Sequence, residues 1–196
     1  MKREKTFQMV LSAMFIAIII ILQSFVPFLG NLPLFILDIT IIHITVIVGG
    51  IVLGPKAGFL LGFAWGFSSF LRAFTSGSAI TFMIFTNPFI SILPRLLMGG
   101  LIALFYHKTN KTITSDKLRM ALSGFLGSLM NTILVLGLIY VLMAGQYAEL
   151  TGKTVAELPL ILMGIVMSNG IAEAIAAFIM TPIIASVLLS VSKKRG

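Results

Sequence analysis

The chain has 196 residues, of which 58% are hydrophobic and 10% charged, and its mean hydropathy is +1.10. Soluble domains carry roughly 45–50% apolar and about 25% charged residues, so this chain lacks a polar shell to face water, and a bilayer is the solvent that suits it. Cysteine is absent, histidine is limited to His43 and His107, and the net charge is +8. These facts exclude disulfides, thiolate chemistry and an HExxH metal site.

The first apolar segment covers about residues 6–26, behind the charged start Lys2-Arg3-Glu4-Lys5. Its apolar run is too long for a signal-peptide core and has no small-residue cleavage site, so it reads as a retained helix. Ala13 and Ala17 form an AxxxA pair that allows a close helix approach, inside the bundle or to another protein. The second segment, 38–53, is short, with Asp38 at its N-terminus and His43 about one turn in. Gly54-Pro55-Lys56 separates it from the third, 56–73, because proline ends a helix. Gly58, Gly62 and Gly66 form two overlapping GxxxG units that read as bundle packing. Trp65, Ser69 and Arg72 share one face at i, i+4 and i+7. Trp65 sits too deep for an interface anchor, whereas Arg72 suits the headgroup level.

Phe82 and Asn87 lie in the connection before the fourth segment, 88–106, which contains Pro88, Pro94 and Arg95. A charged residue within a membrane is costly and is a functional candidate by default. Arg95 has two readings: an internal pair with Glu173, or a clamp on an anionic ligand, since guanidinium binds carboxylate or phosphate through two parallel bonds. The fifth segment, 118–145, holds Asn131 near its middle; the sixth, 158–191, holds Asn169 and Glu173 on one face. Both are longer than the roughly 20 residues a crossing needs and are expected to tilt or protrude.

These six segments predict an all-α membrane protein in a single domain, 1–196. With the N-terminus inside, Lys2, Arg3, Lys5, Lys56, Lys108, Lys111, Lys117, Arg119, Lys193, Lys194 and Arg195 fall on the cytoplasmic side; only Arg72, Arg95 and Lys153 do not. That bias predicts six crossings with both termini cytoplasmic. It also makes the positive charge a matter of topology, with no call for nucleic acid. The outer connections, 27–37, 73–87 and 145–158, are the longer ones, serving as connectors or as a lid.

Arg95, Asn131, Asn169, His43, Ser69, Trp65, Phe82 and Asn87 together supply a cation, amides, a hydroxyl and aromatic walls in the outer half or midplane. That is the make-up of a small-molecule pocket. The competing reading for the asparagines is a helix–helix hydrogen bond, and for Glu173 a structural role. Gly152-Lys153-Thr154 fails as a P-loop, since Tyr147 stands where the leading glycine belongs. No GxSxG, nucleophile–base pair or paired intramembrane carboxylates appear. The chain is therefore not expected to be an enzyme or to hydrolyse ATP, and Glu173 alone is a thin acid set for a proton-coupled carrier.

Four stretches carry a resemblance. They are His43 to Gly50 (HITVIVGG), Leu53 to Gly58 (LGPKAG), Gly62 to Ser68, and Phe85 to Arg95, which reads FxNPxxSxxPR. They resemble the membrane-embedded S components of energy-coupling factor (ECF) vitamin importers. The resemblance covers nearly the whole chain. It implies a six-helix bundle that binds a vitamin from outside and docks through Ala13 and Ala17 on a transmembrane coupling subunit (EcfT) carrying two ATPases. It further implies that the S component topples to release its cargo, with ATP consumed by the partners and no cofactor or metal of its own. Within the family the chain is most similar to the pantothenate-specific branch. Arg95 would then hold the ligand carboxylate. Asn131, Asn169 and Ser68 or Ser69 would meet its hydroxyls and amide, and Trp65 and Phe82 its gem-dimethyl group. S components for hydroxymethylpyrimidine or pyridoxine share the NPxxSxxPR region and remain alternatives. A self-sufficient secondary carrier and a ligand-free scaffold are the readings from other classes.

Overall fold

The computed structural model describes residues 2–25, 41–75 and 79–193. The connection 27–37, Asp38, Lys194 and Arg195, all used in the sequence reading, lie outside the described residues. Within them every regular element is helical. The helices are α1 (Lys2–Phe25), α2 (Ile42–Leu53), α3 (Pro55–Ala73), α4 (Ala79–Phe85), α5 (Pro88–Ser91), α6 (Leu93–Lys108), α7 (Asp116–Thr151), α8 (Leu158–Ile165) and α9 (Ile171–Lys193). Short 3-10 turns, Thr109–Lys111 and Val155–Glu157, follow α6 and precede α8, and a π turn, Val166–Gly170, joins α8 to α9.

Among the described residues, four stretches are long and apolar enough to cross a bilayer: Thr6–Ser24, Pro88–Lys111, Asp116–Thr151 and Val155–Val191. They match the first, fourth, fifth and sixth segments read from the sequence. α2 has 12 residues and is short for a crossing, and α3 has 19 residues with Lys56 and Arg72 near its ends. The two are joined by Gly54 alone, at φ 94 and ψ 174, a conformation open in practice only to glycine. Pro55 then starts α3 with its φ already suited to a helix.

Small residues set the closest packing. A methyl group on Gly58 would strike the Gly99 carbonyl oxygen, one on Gly62 that of Arg95, and one on Gly66 would lie 2.6 Å from Ile92 Cα. The GxxxG units therefore seat α3 on α6, as packing inside the bundle. Gly124 does the same for α7, whose backbone there meets the Ala177 carbonyl of α9. Around these contacts Ile19, Val46, Ile47, Leu61, Trp65 and Met98 form the main core. A second cluster, Ile84, Ile90, Val135 and Ile139, fixes α4 and α5 against α7. At the opposite end of the bundle Arg119 pairs with Asp116 and lies over the Tyr106 ring at 4.5 Å, tying α7 to α6. α1 packs on α2 and α3 among the described elements; its other side leaves Met9, Val10, Met14, Ile18 and Ile21 exposed.

Two connections hold more helix than the sequence predicts. α7 continues past 145 to Thr151, with its backbone leaving helical geometry at Met143 (φ −140, ψ 18). Gly152, at φ 66, closes it with a left-handed cap. Within the connection 73–87, Ala79–Phe85 form α4, whose buried Ile84 reaches the second cluster.

Candidate functional site

The FxNPxxSxxPR stretch builds a broken helix. Asn87 caps α5, its side chain accepting the Phe89 amide at 3.0 Å, and Pro88 follows as the first helical residue. Ser91 Oγ donates back to the Asn87 carbonyl at 3.0 Å. At Ile92 (φ −100, ψ −49) the chain shifts, and α6 restarts with Pro94 in its first turn. Each polar letter of the motif thus shapes the backbone that delivers Arg95.

Arg95 is buried, 6% exposed. Its Nη1 donates to the Ile90 carbonyl at 2.6 Å, and its Cζ lies 5.3 Å from the Trp65 ring centroid and 4.9 Å from that of Phe85. Nε is buried with no hydrogen-bond partner. Isolated buried charge is costly; two ring faces and one carbonyl offset part of that cost. The remaining unsatisfied donor lies on the guanidinium edge that grips a carboxylate through two parallel bonds. The hydrogen bond of Arg95 runs to a carbonyl rather than to Glu173, which stands half-buried in the first turn of α9.

Trp65 connects this corner to α1. Its indole Nε1 donates to Gln23 Oε1 at 3.2 Å, and Arg72 Nη1 donates to the Gln23 carbonyl at 2.5 Å. Ser69, between them on the same face of α3, is buried. Ser68 instead lines a groove between α1 and α3 with Phe63, Phe67 and Arg72. Phe82 is 49% exposed and meets Phe74 edge-on at 6.0 Å, while Phe85 takes the place on Arg95. Gln23, Phe85 and the Ile90 carbonyl were not singled out from the sequence. Phe85 was legible as the first letter of the motif, and Ile90 as the residue four before a proline.

The other polar candidates lie on α2, α7 and the π turn. His43 is fully buried in α2. Asn131 Oδ1 is buried without a partner on α7, as is Ser128 Oγ one turn earlier. Asn169 lies in the π turn and accepts from Ser168 Oγ at 3.3 Å; such turns recur at functional sites. α7 packs on α5, on α6 and on the π turn, so the helix of Asn131 touches both the Arg95 region and the turn of Asn169. The structure thus joins Arg95, Trp65 and Phe85 directly and ties Ser69 to them through α3. It uses Asn87 as a cap and sets Phe82 and Ser68 on other surfaces.

The family model described as "ECF transporter, substrate-specific component" matches residues 7–185. The chain belongs to this family. Two relatives align end to end with it. The "Pantothenate transporter PanT" of Leuconostoc mesenteroides subsp. mesenteroides is 32% identical over 202 residues, covering 100% of this chain and 98% of its own. The "Pantothenic acid transporter PanT" of Lactococcus lactis subsp. cremoris is 33% identical over 202 residues, covering 96% of each. An S component with four such apolar helices is a multi-pass protein of the cell membrane, and the helix break, buried arginine and aromatic contacts described above all lie within the matched region.

Proposed function

We propose that this chain is the pantothenate-binding S component of an ECF-type importer. The observation that carries the reading is Arg95, a buried guanidinium against two aromatic rings with its Nε unspent. Pantothenate is a small monoanion with a carboxylate at one end and a gem-dimethyl group at the other. Arg95 takes the carboxylate beside the Trp65 ring, and Asn131, Asn169 and Ser69 take the hydroxyls and amide, with His43 on the wall. The end-to-end likeness to two proteins named for pantothenate transport supports the same ligand.

In this reading the bundle crosses six times with both termini cytoplasmic, α2 and α3 forming a hairpin at Gly54. The bias of basic residues toward one side supports it. Ala13 and Ala17 are exposed on the face of α1 that no described helix covers. That face docks on the transmembrane coupling subunit, and the ATPases attached to it supply the energy.

The test is equilibrium binding of labelled pantothenate to the purified chain in lipid nanodiscs, with pantothenate, hydroxymethylpyrimidine and pyridoxine as competitors. Only pantothenate is expected to displace the label. In Arg95→Ala the affinity is expected to fall by about 1.5–3 kcal/mol or more, the worth of a hydrogen bond to a charged group plus the loss from an unpaired carboxylate. Displacement by a neutral vitamin, or unchanged affinity in Arg95→Ala, would overturn the assignment.

A further inference from the structure

In an unbroken α-helix each carbonyl accepts the amide proton of the residue four further on. For Ile90 that residue is Pro94, whose ring nitrogen carries no proton. Ile90 is completely buried, and an orphaned buried carbonyl costs free energy comparable to a lost hydrogen bond. Arg95, the next residue, fills the gap: its Nη1 reaches back to the Ile90 oxygen at 2.6 Å.

We propose that Pro94 is a positioning residue for the ligand carboxylate. By withholding one amide proton it leaves a fixed acceptor that pins the Nη1 corner of the Arg95 guanidinium. The rings of Trp65 and Phe85 confine the same group. A planar guanidinium held at one corner has one orientation left for its opposite edge, Nε with Nη2. The structure leaves Nε on that edge buried and unsatisfied. The arginine is therefore ordered before the ligand arrives, and the ordering does not have to be met from binding energy. A ligand with an acid at that end gains from the waiting edge; its neutral alcohol counterpart does not. The part concerning the carboxylate rests on the pantothenate reading; the ordering of the arginine does not.

Pro94→Ala restores the amide at a helix position where alanine is at ease; that amide competes with Arg95 for the Ile90 carbonyl and loosens its hold on the guanidinium. The first measurement needs no ligand. The side-chain nitrogens of the full chain, labelled with 15N-arginine in nanodiscs, are observed by NMR, and the Arg95 signal is identified by its loss in Arg95→Gln. Slow rotation of that group is expected in the parent protein and fast rotation in Pro94→Ala. Pro88→Ala serves as the control, because it removes a proline of the same stretch without supplying a donor to Ile90. Slow rotation should persist there. The second measurement compares affinities for pantothenate and pantothenol. In Pro94→Ala the preference for the acid is expected to fall roughly tenfold, the scale of one charge-assisted bond, with the alcohol unaffected. Slow rotation surviving in Pro94→Ala, or equal weakening of both ligands, overturns the proposal. If the rotation changes as expected but the parent protein prefers neither ligand, Pro94 still orders Arg95 and the pantothenate reading is what fails.

Discussion

Arg95 shows how far a single residue can be read from its neighbours in the chain. An arginine inside an apolar stretch stands out by its cost alone, and the proline before it was equally visible. Their connection, through the carbonyl of Ile90, depends only on the four-residue repeat of a helix and was open to inspection in the sequence. The aromatic partner was not. Phe82 and Phe85 lie three apart, and only the point where α4 ends and docks sets Phe85, not Phe82, on the guanidinium. Gln23 was hidden for the same reason, its partner Trp65 being 42 residues away. Lysine cannot replace Arg95 in this role, since it has one point charge and no fork. Arg95→Lys keeps the charge but gives up the bond geometry, so binding is expected to weaken by about tenfold or more in the same titration. Affinity equal to the parent would show that charge alone is needed.

Among the elements, the helices with strong apolar runs were legible and their margins were not. α7 outruns its expected end because Gln146 and Glu149, polar enough to suggest a loop, are good helix formers. From Asp116 to the break at Met143 it extends about 40 Å at 1.5 Å per residue, beyond a hydrocarbon core of about 30 Å. The π turn at Val166–Gly170 has no period of its own in sequence and could not be anticipated. The glycine spacing of α3 could, and its meaning is now mechanical: Gly62 lies against the carbonyl of Arg95 itself. Gly62→Leu is expected to force α3 off α6, destabilising the protein by about 1–3 kcal/mol or more and displacing the arginine. Thermal unfolding in detergent measures the first effect and ligand titration the second; a variant that unfolds like the parent would contradict the packing.

For the whole molecule, composition determined the environment, and the apolar segments with the one-sided bias of Lys and Arg set the six-crossing plan, while among the described residues four helices are long and apolar enough to cross by length and composition. α2 and α3 escape such a count because one is short and the other ends in charge. The exposed side of α1 is where the molecule meets its partner in the proposed function. Ala13→Trp and Ala17→Trp add bulk there without touching Arg95, so pantothenate binding should be kept while co-purification with the coupling subunit is lost. Loss of both would mean that α1 is built into the ligand site.

Gly54 and Gly62 are both glycines at tight places, yet they object to different things. No atom lies within 4 Å of where a side chain on Gly54 would begin, while one on Gly62 runs straight into backbone. The obstacle at 54 is handedness, at about 1–3 kcal/mol for a backbone that only glycine adopts comfortably; at 62 it is volume. A saturation library would separate them: at position 62 tolerance should fall with the size of the replacement, whereas at 54 every replacement should be rejected about alike. A D-alanine introduced there by chemical synthesis should be accepted, because its mirror-image preference matches the turn.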